Sequence, residues 1–108
     1  MGVLKLYSFE FDGRLGIEIP ELQKDWGKYD KKTQEEILTK WENIRGNIPD
    51  RVRELEQEIN RKQALLNNEN DFKKSCELNR EIAELASTIN DLWLWFRSHS
   101  EVSAKIHL

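Results

Sequence analysis

The stretch 55–82, LEQEINRKQALLNNENDFKKSCELNREI, decides how this chain folds. Apolar side chains recur at helical spacing on both sides of an interruption, Asn67-Asn68-Glu69-Asn70-Asp71, whose amides and carboxylates favour caps and turns over helix interiors. Two helices folded back across a tight turn bring together residues whose numbers add to a constant. The pairs Ile59/Leu78, Leu55/Ile82, Val52/Leu85 and Ile48/Ile89 all add to 137, as do Trp41/Phe96 and the polar pair Lys62/Ser75. Ile44/Leu92 gives 136 and Leu66/Phe72 gives 138, so the implied fold point, 68.5, falls inside the asparagine-rich interruption. Stripe spacing and turn chemistry thus agree on an antiparallel α-helical hairpin with coiled-coil-like packing. Its free arm, 49–67 against 71–89, spans roughly 28 Å at 1.5 Å per residue. Lys62 is expected to snorkel out of the seam in preference to forming a polar layer with Ser75.

Working outward, the pairing continues past Gly46 and Pro49, so the helix of 31–48 is expected to run on, bent, into the next one. Thr33-Gln34-Glu35-Glu36 fits a capping box at its start, and Asp30 competes as the cap. At the other end, Leu92-Trp93-Leu94-Trp95-Phe96 sets apolar side chains all around the last helix, since successive residues lie 100° apart. A two-helix seam cannot bury them all. Either the N-terminal segment or a second subunit must cover the rest, because such a patch exceeds what monomers usually expose.

Residues 3–19 read as a β-hairpin: Tyr7, Phe9 and Phe11 alternate with polar residues, as do Leu15, Ile17 and Ile19. A three-residue loop Phe11-Asp12-Gly13, with Gly13 left-handed, pairs Glu10 with Arg14 and Phe9 with Leu15, and sets all six apolar side chains on one face. Pro20 is expected to end the second strand, and 20–30 to form a polar connector carrying Trp26 and Tyr29. The fold class is therefore mainly α with a small N-terminal β-hairpin. A single domain, 1–108, contains a head (3–48 and 90–98), a projecting arm (49–89) and a tail (99–108).

Composition agrees. Of 108 residues only 38% are apolar and 34% are charged, too few apolar groups for a thick core, and nine of the ten aromatics lie in 1–41 or 93–96. Residues 49–91 hold 7 basic and 10 acidic side chains, interleaved; phosphate binding needs a local cationic excess, so nucleic acid is not the expected partner. One cysteine, Cys76, excludes a disulfide framework within the chain. No signal peptide or membrane-length apolar run is present, and a cytoplasmic setting is expected.

Catalytic, cofactor and metal motifs are absent from the sequence. Cys76 and His99 lie about 34 Å apart along one helix, and neither His99 nor His107 completes a Glu-x-x-His pattern. Glu77, Glu81 and Glu84 share a helix face with Arg80 among them, which reads as a solvated charged surface. The expectation is a non-enzymatic protein–protein interaction module or scaffold. It would self-associate as a homodimer through an aromatic head, with Trp41, Trp93, Trp95, Phe96, Tyr7 and Phe9 as interface residues, and present its helical hairpin to a protein partner. The competing expectation is a small nucleic-acid-associated regulator that stacks bases on the aromatic strand, with Lys5 and Arg14 nearby.

Overall fold

A computed structural model describes residues 6–98; Lys5, His99 and His107 lie outside the described residues, as does the rest of the tail. Strands β1 (Tyr7–Asp12) and β2 (Ile17–Leu22) form an antiparallel ribbon, a single 3-10 turn follows at Trp26–Lys28, and helices α1 (Lys31–Arg45), α2 (Ile48–Asn67) and α3 (Phe72–Arg97) complete the order. The molecule measures 61 × 27 × 23 Å, with a radius of gyration of 18.3 Å against about 13 Å for a compact chain of this length. The shortage of apolar residues is a consequence of elongation.

Asp30, not Thr33, caps α1, its carboxylate accepting the Thr33 amide at 2.8 Å. Hydrogen bonding from the Thr33 side chain and then from its amide holds the Asp30 carboxyl below the usual carboxylate range. Helix α1 does run on into α2 as one bent helix. Gly46 and Asn47 keep right-handed helical backbone, and the Gly46 amide still reaches the Glu42 carbonyl at 3.1 Å. Pro49, in the first turn of α2, supplies no amide for the ladder and crowds the carbonyl four residues back, so the axis bends there.

The hairpin of α2 and α3 turns at 68–71, where Asp71 caps α3 by accepting the Lys73 and Lys74 amides at 2.9 and 3.2 Å. Lys62 does not end in open water: its ammonium crosses the seam to Glu81 at 3.0 Å and also meets Glu58 at 3.5 Å. The offset from Ser75 has a simple cause. Helical side chains lean toward their own N-terminus, so on antiparallel helices Lys62 and Glu81 lean toward each other. Phe72 leaves the seam altogether and is 84% exposed, whereas Thr88, outside the apolar stripe, is buried with its hydroxyl on the Glu84 carbonyl at 2.9 Å.

The β-hairpin differs most from expectation. Its register pairs Tyr7 with Leu22, Phe9 with Pro20, Phe11 with Glu18 and Asp12 with Ile17, around a four-residue loop, 13–16. Odd positions therefore face even ones, and the two apolar sets occupy opposite faces. The left-handed residue is Gly16 (φ 76°), not Gly13. Asp12 organises the loop, its carbonyl taking the Gly16 amide at 2.7 Å and its carboxylate the Leu15 amide at 2.9 Å. Strand β2 also continues through Pro20. The Gln23 amide bonds the Leu6 carbonyl at 3.1 Å, so by alternation Pro20 falls in a non-hydrogen-bonded pair with its nitrogen facing outward, where a missing donor costs nothing.

The core holds Leu15, Ile17, Trp41, Ile48, Val52, Leu55 and Leu92, with Phe9, Ile19, Ile44, Leu85, Ile89, Trp93, Trp95 and Phe96 half-buried around it. It lies where the hairpin, the bend and the end of α3 meet. No helix among the described residues is long and apolar enough to cross a membrane.

Candidate interaction site

The aromatic head assembles as a cluster, but its members differ in availability. Trp41 is fully buried, its ring 5.4 Å from that of Trp95, and its indole nitrogen lacks a hydrogen-bond partner. A residue so enclosed belongs to the core and cannot touch a partner, which corrects its place among the interface residues. Trp95 and the mutually packed pair Trp93 and Phe96, with centroids 5.3 Å apart, stay half-buried. Leu94, between them, is 46% exposed.

Tyr7 and Phe9 lie on the ribbon face that meets α1. The Tyr7 hydroxyl bonds Glu36 at 3.4 Å, and the Lys40 ammonium stands 4.9 Å over the Phe9 ring. Tyr7 also meets the buried Tyr29 edge-on, and Tyr29 anchors the open end of the ribbon through a hydrogen bond from its hydroxyl to the Leu6 carbonyl. Phe11, assigned to the loop by sequence, sits in β1 and is 67% exposed.

Three arginines fix the head, and sequence reasoning gave none of them this role. Arg51 of α2 donates to the Leu15 carbonyl at 2.9 Å and the Arg14 carbonyl at 3.3 Å, gripping the hairpin loop. Arg14 reaches back from that loop to Asp91 at 2.8 Å and Ser87 at 3.3 Å on α3. The left-handed backbone at Gly16 favours glycine, and a Cβ there would meet the Arg51 guanidinium, its Cζ at 2.8 Å, and push that side chain off the loop. Arg45 donates to the Phe96 carbonyl at 2.7 Å and lies 4.2 Å over the Phe96 ring, supplying a cation at the C-terminus of α3.

Between the hairpin loop and the arm runs an open groove of about 670 Å³, floored by Leu55, Leu85 and Thr88 and rimmed by Arg14, Lys62 and Glu84. Its charges are mixed: Lys62 pairs with Glu81 across the seam, Arg14 with Asp91 and Arg51 with Glu54. At the far end of the arm, Leu65 (49% exposed) and Phe72 (84%) form an apolar tip, with Cys76 exposed one turn along α3 from Phe72. No group of three or more His, Cys, Asp or Glu side chains among the described residues could hold a metal ion. Comparison of the chain with protein-family profiles, with curated proteins and with solved structures gave no match.

Proposed function

We propose that this protein is a non-enzymatic interaction module that self-associates through its aromatic head and presents its helical arm to a partner protein. The observation that carries this reading is what stays uncovered. After the β-hairpin has packed on the head, Trp93, Trp95 and Phe96 remain half-buried and Leu94 is open, so the described residues, 6–98, do not finish burying the aromatic cluster. Aromatic and arginine side chains that are rigidly held at a surface are the groups that dominate protein interfaces. Arg45 fixes Phe96, and Trp41 backs Trp95, so the presented rings lose little freedom on binding.

Base stacking on the strand receives less support. Tyr7 and Phe9 are turned toward α1 and Tyr29, and the open Phe11 is paired across the ribbon with an acid, Glu18. Solution mass tests the proposal: the chain should sediment as a dimer at micromolar concentration, and Trp93→Glu should split it while helix content is retained. A strict monomer would refute self-association, and salt-sensitive retention on DNA would favour the nucleic-acid reading.

A further inference from the structure

Helix α3 carries a second stripe besides its seam with α2. Cys76, Asn79, Ala83, Ala86, Asn90 and Trp93 follow one another at spacings of 3, 4, 3, 4 and 3, the repeat of a coiled-coil contact. At 100° per residue they share a band about 100° wide, and the charged side chains between Cys76 and Trp93 all lie about 90° or more from its middle. The seam residues Leu78, Ile82, Leu85 and Ile89 occupy one flank of this band. On the other flank, Ser87 and Asp91 hold Arg14 of the hairpin loop. Neither neighbour covers the band itself: its first five residues are exposed and Trp93 is half-buried. The Asn79 and Asn90 amides have no protein hydrogen-bond partner among the described residues.

We propose that this stripe is the interface with a second copy of the chain, the two α3 helices lying parallel and in register about a two-fold axis, head beside head and arm beside arm. The inference rests on self-association through the head and extends that contact down the arm, with Trp93 common to both. What identifies the occupant is the fitness of the stripe to meet itself. About such an axis each stripe residue faces its own counterpart, so any charge there would repel its copy at short range. From Cys76 to Trp93 the stripe carries none. Asn79 faces Asn79 and Asn90 faces Asn90, and an amide both donates and accepts, so each satisfies its copy. A slip of one heptad would set Asn79 against Ala86 and Ala83 against Asn90, which lets the two amides fix the register. Between them Ala83 and Ala86 allow the backbones to approach closely. Ile59, Ala86 and Ile89 line a groove of about 540 Å³ next to the stripe, further apolar surface for the partner helix.

Cys76, the chain's one cysteine and exposed, reads the register directly. A short bismaleimide added to the full-length protein at micromolar concentration should join the two Cys76 thiols into a covalent dimer, and Trp93→Glu should abolish that product by splitting the pair. An antiparallel pair of the same stripes holds the thiols roughly 25 Å apart, at 1.5 Å per residue, and gives no such product. By sedimentation, Ala83→Arg should weaken the dimer at least about tenfold with helix content retained, because the position is exposed and arginine is nearly as good a helix former as alanine. A dimer that yields no Cys76 cross-link, or one unmoved by Ala83→Arg, overturns the α3 pairing and leaves self-association through the head standing. A monomer throughout the micromolar range overturns both.

Discussion

The head and the arm of this molecule are built from one continuous bent helix and its return partner, yet they are held together differently. On the α2–α3 hairpin every buried residue lies at the root: Ile48, Val52 and Leu55 on one helix, Thr88 and Leu92 on the other, with Ser98 buried at the C-cap of α3. Beyond Leu55 and before Thr88, the seam residues Ile59, Leu66, Leu78, Ile82 and Leu85 are only half-buried, because two helices enclose a contact from two sides and leave the others open. In the head the same helices gain α1, the ribbon and three arginine clamps. Burial there depends on a third layer, and the arm persists as an extension of helices nucleated at its root.

That contrast can be broken, starting with the largest expected effect. Trp41→Ala removes the largest fully buried side chain and should cost about 3–5 kcal/mol in chemical denaturation, while Leu78→Ala in the arm should fall clearly below it. Equal losses would abolish the distinction. Gly16→Ala forces a left-handed backbone on a residue with a Cβ and displaces Arg51 from the loop carbonyls. It should cost about 1–3 kcal/mol in the same assay, whereas Gly13→Ala, with open space around it, should be near neutral. Amide exchange sharpens the picture residue by residue: protection should be greatest around Trp41–Leu55 and Thr88–Trp95 and fall steadily toward 60–78. Uniform protection along α2 would mean that the arm opens only with the whole molecule.

Smaller effects test the ends. The Asp30 carboxyl titrates below its ordinary value in the folded chain, so its capping contribution is full above the usual carboxylate range and disappears as pH falls through the lowered folded value. The melting-temperature gap between the chain and Asp30→Ala should therefore be widest near neutrality and close in acid; a gap independent of pH would remove the charge from the explanation. Phe72→Ser, at the exposed tip, should change stability by no more than about 0.5 kcal/mol. A large loss would show that the tip is packed.

The helical hairpin was legible because its information is local and repeated. Stripe spacing, an asparagine-rich turn and a constant pairing sum each constrain the same object. The β-hairpin register was not legible, because a strand slip of one residue exchanges the faces at little local cost, and the choice depends on what each face meets. Here both faces are used: Ile17 and Ile19 pack into the core while Tyr7 and Phe9 meet α1 and Tyr29. The aromatic cluster at the end of α3 marked the candidate interface in sequence, but only the fold separated enclosed Trp41 from the half-open Trp93, Trp95 and Phe96. Phe11 and the clamps of Arg14, Arg45 and Arg51 carried no comparable signal, since long charged side chains declare their partners only when distant elements are brought together.

The sequence by itself determined the helices, their antiparallel return and the crowding of aromatics at one end, because backbone propensity and apolar period act over a few turns. Tertiary structure alone decided the ribbon register, the left-handed position at Gly16 and which aromatic side chains face solvent. Each of these depends on contacts between segments tens of residues apart, Arg51 against the hairpin loop foremost among them.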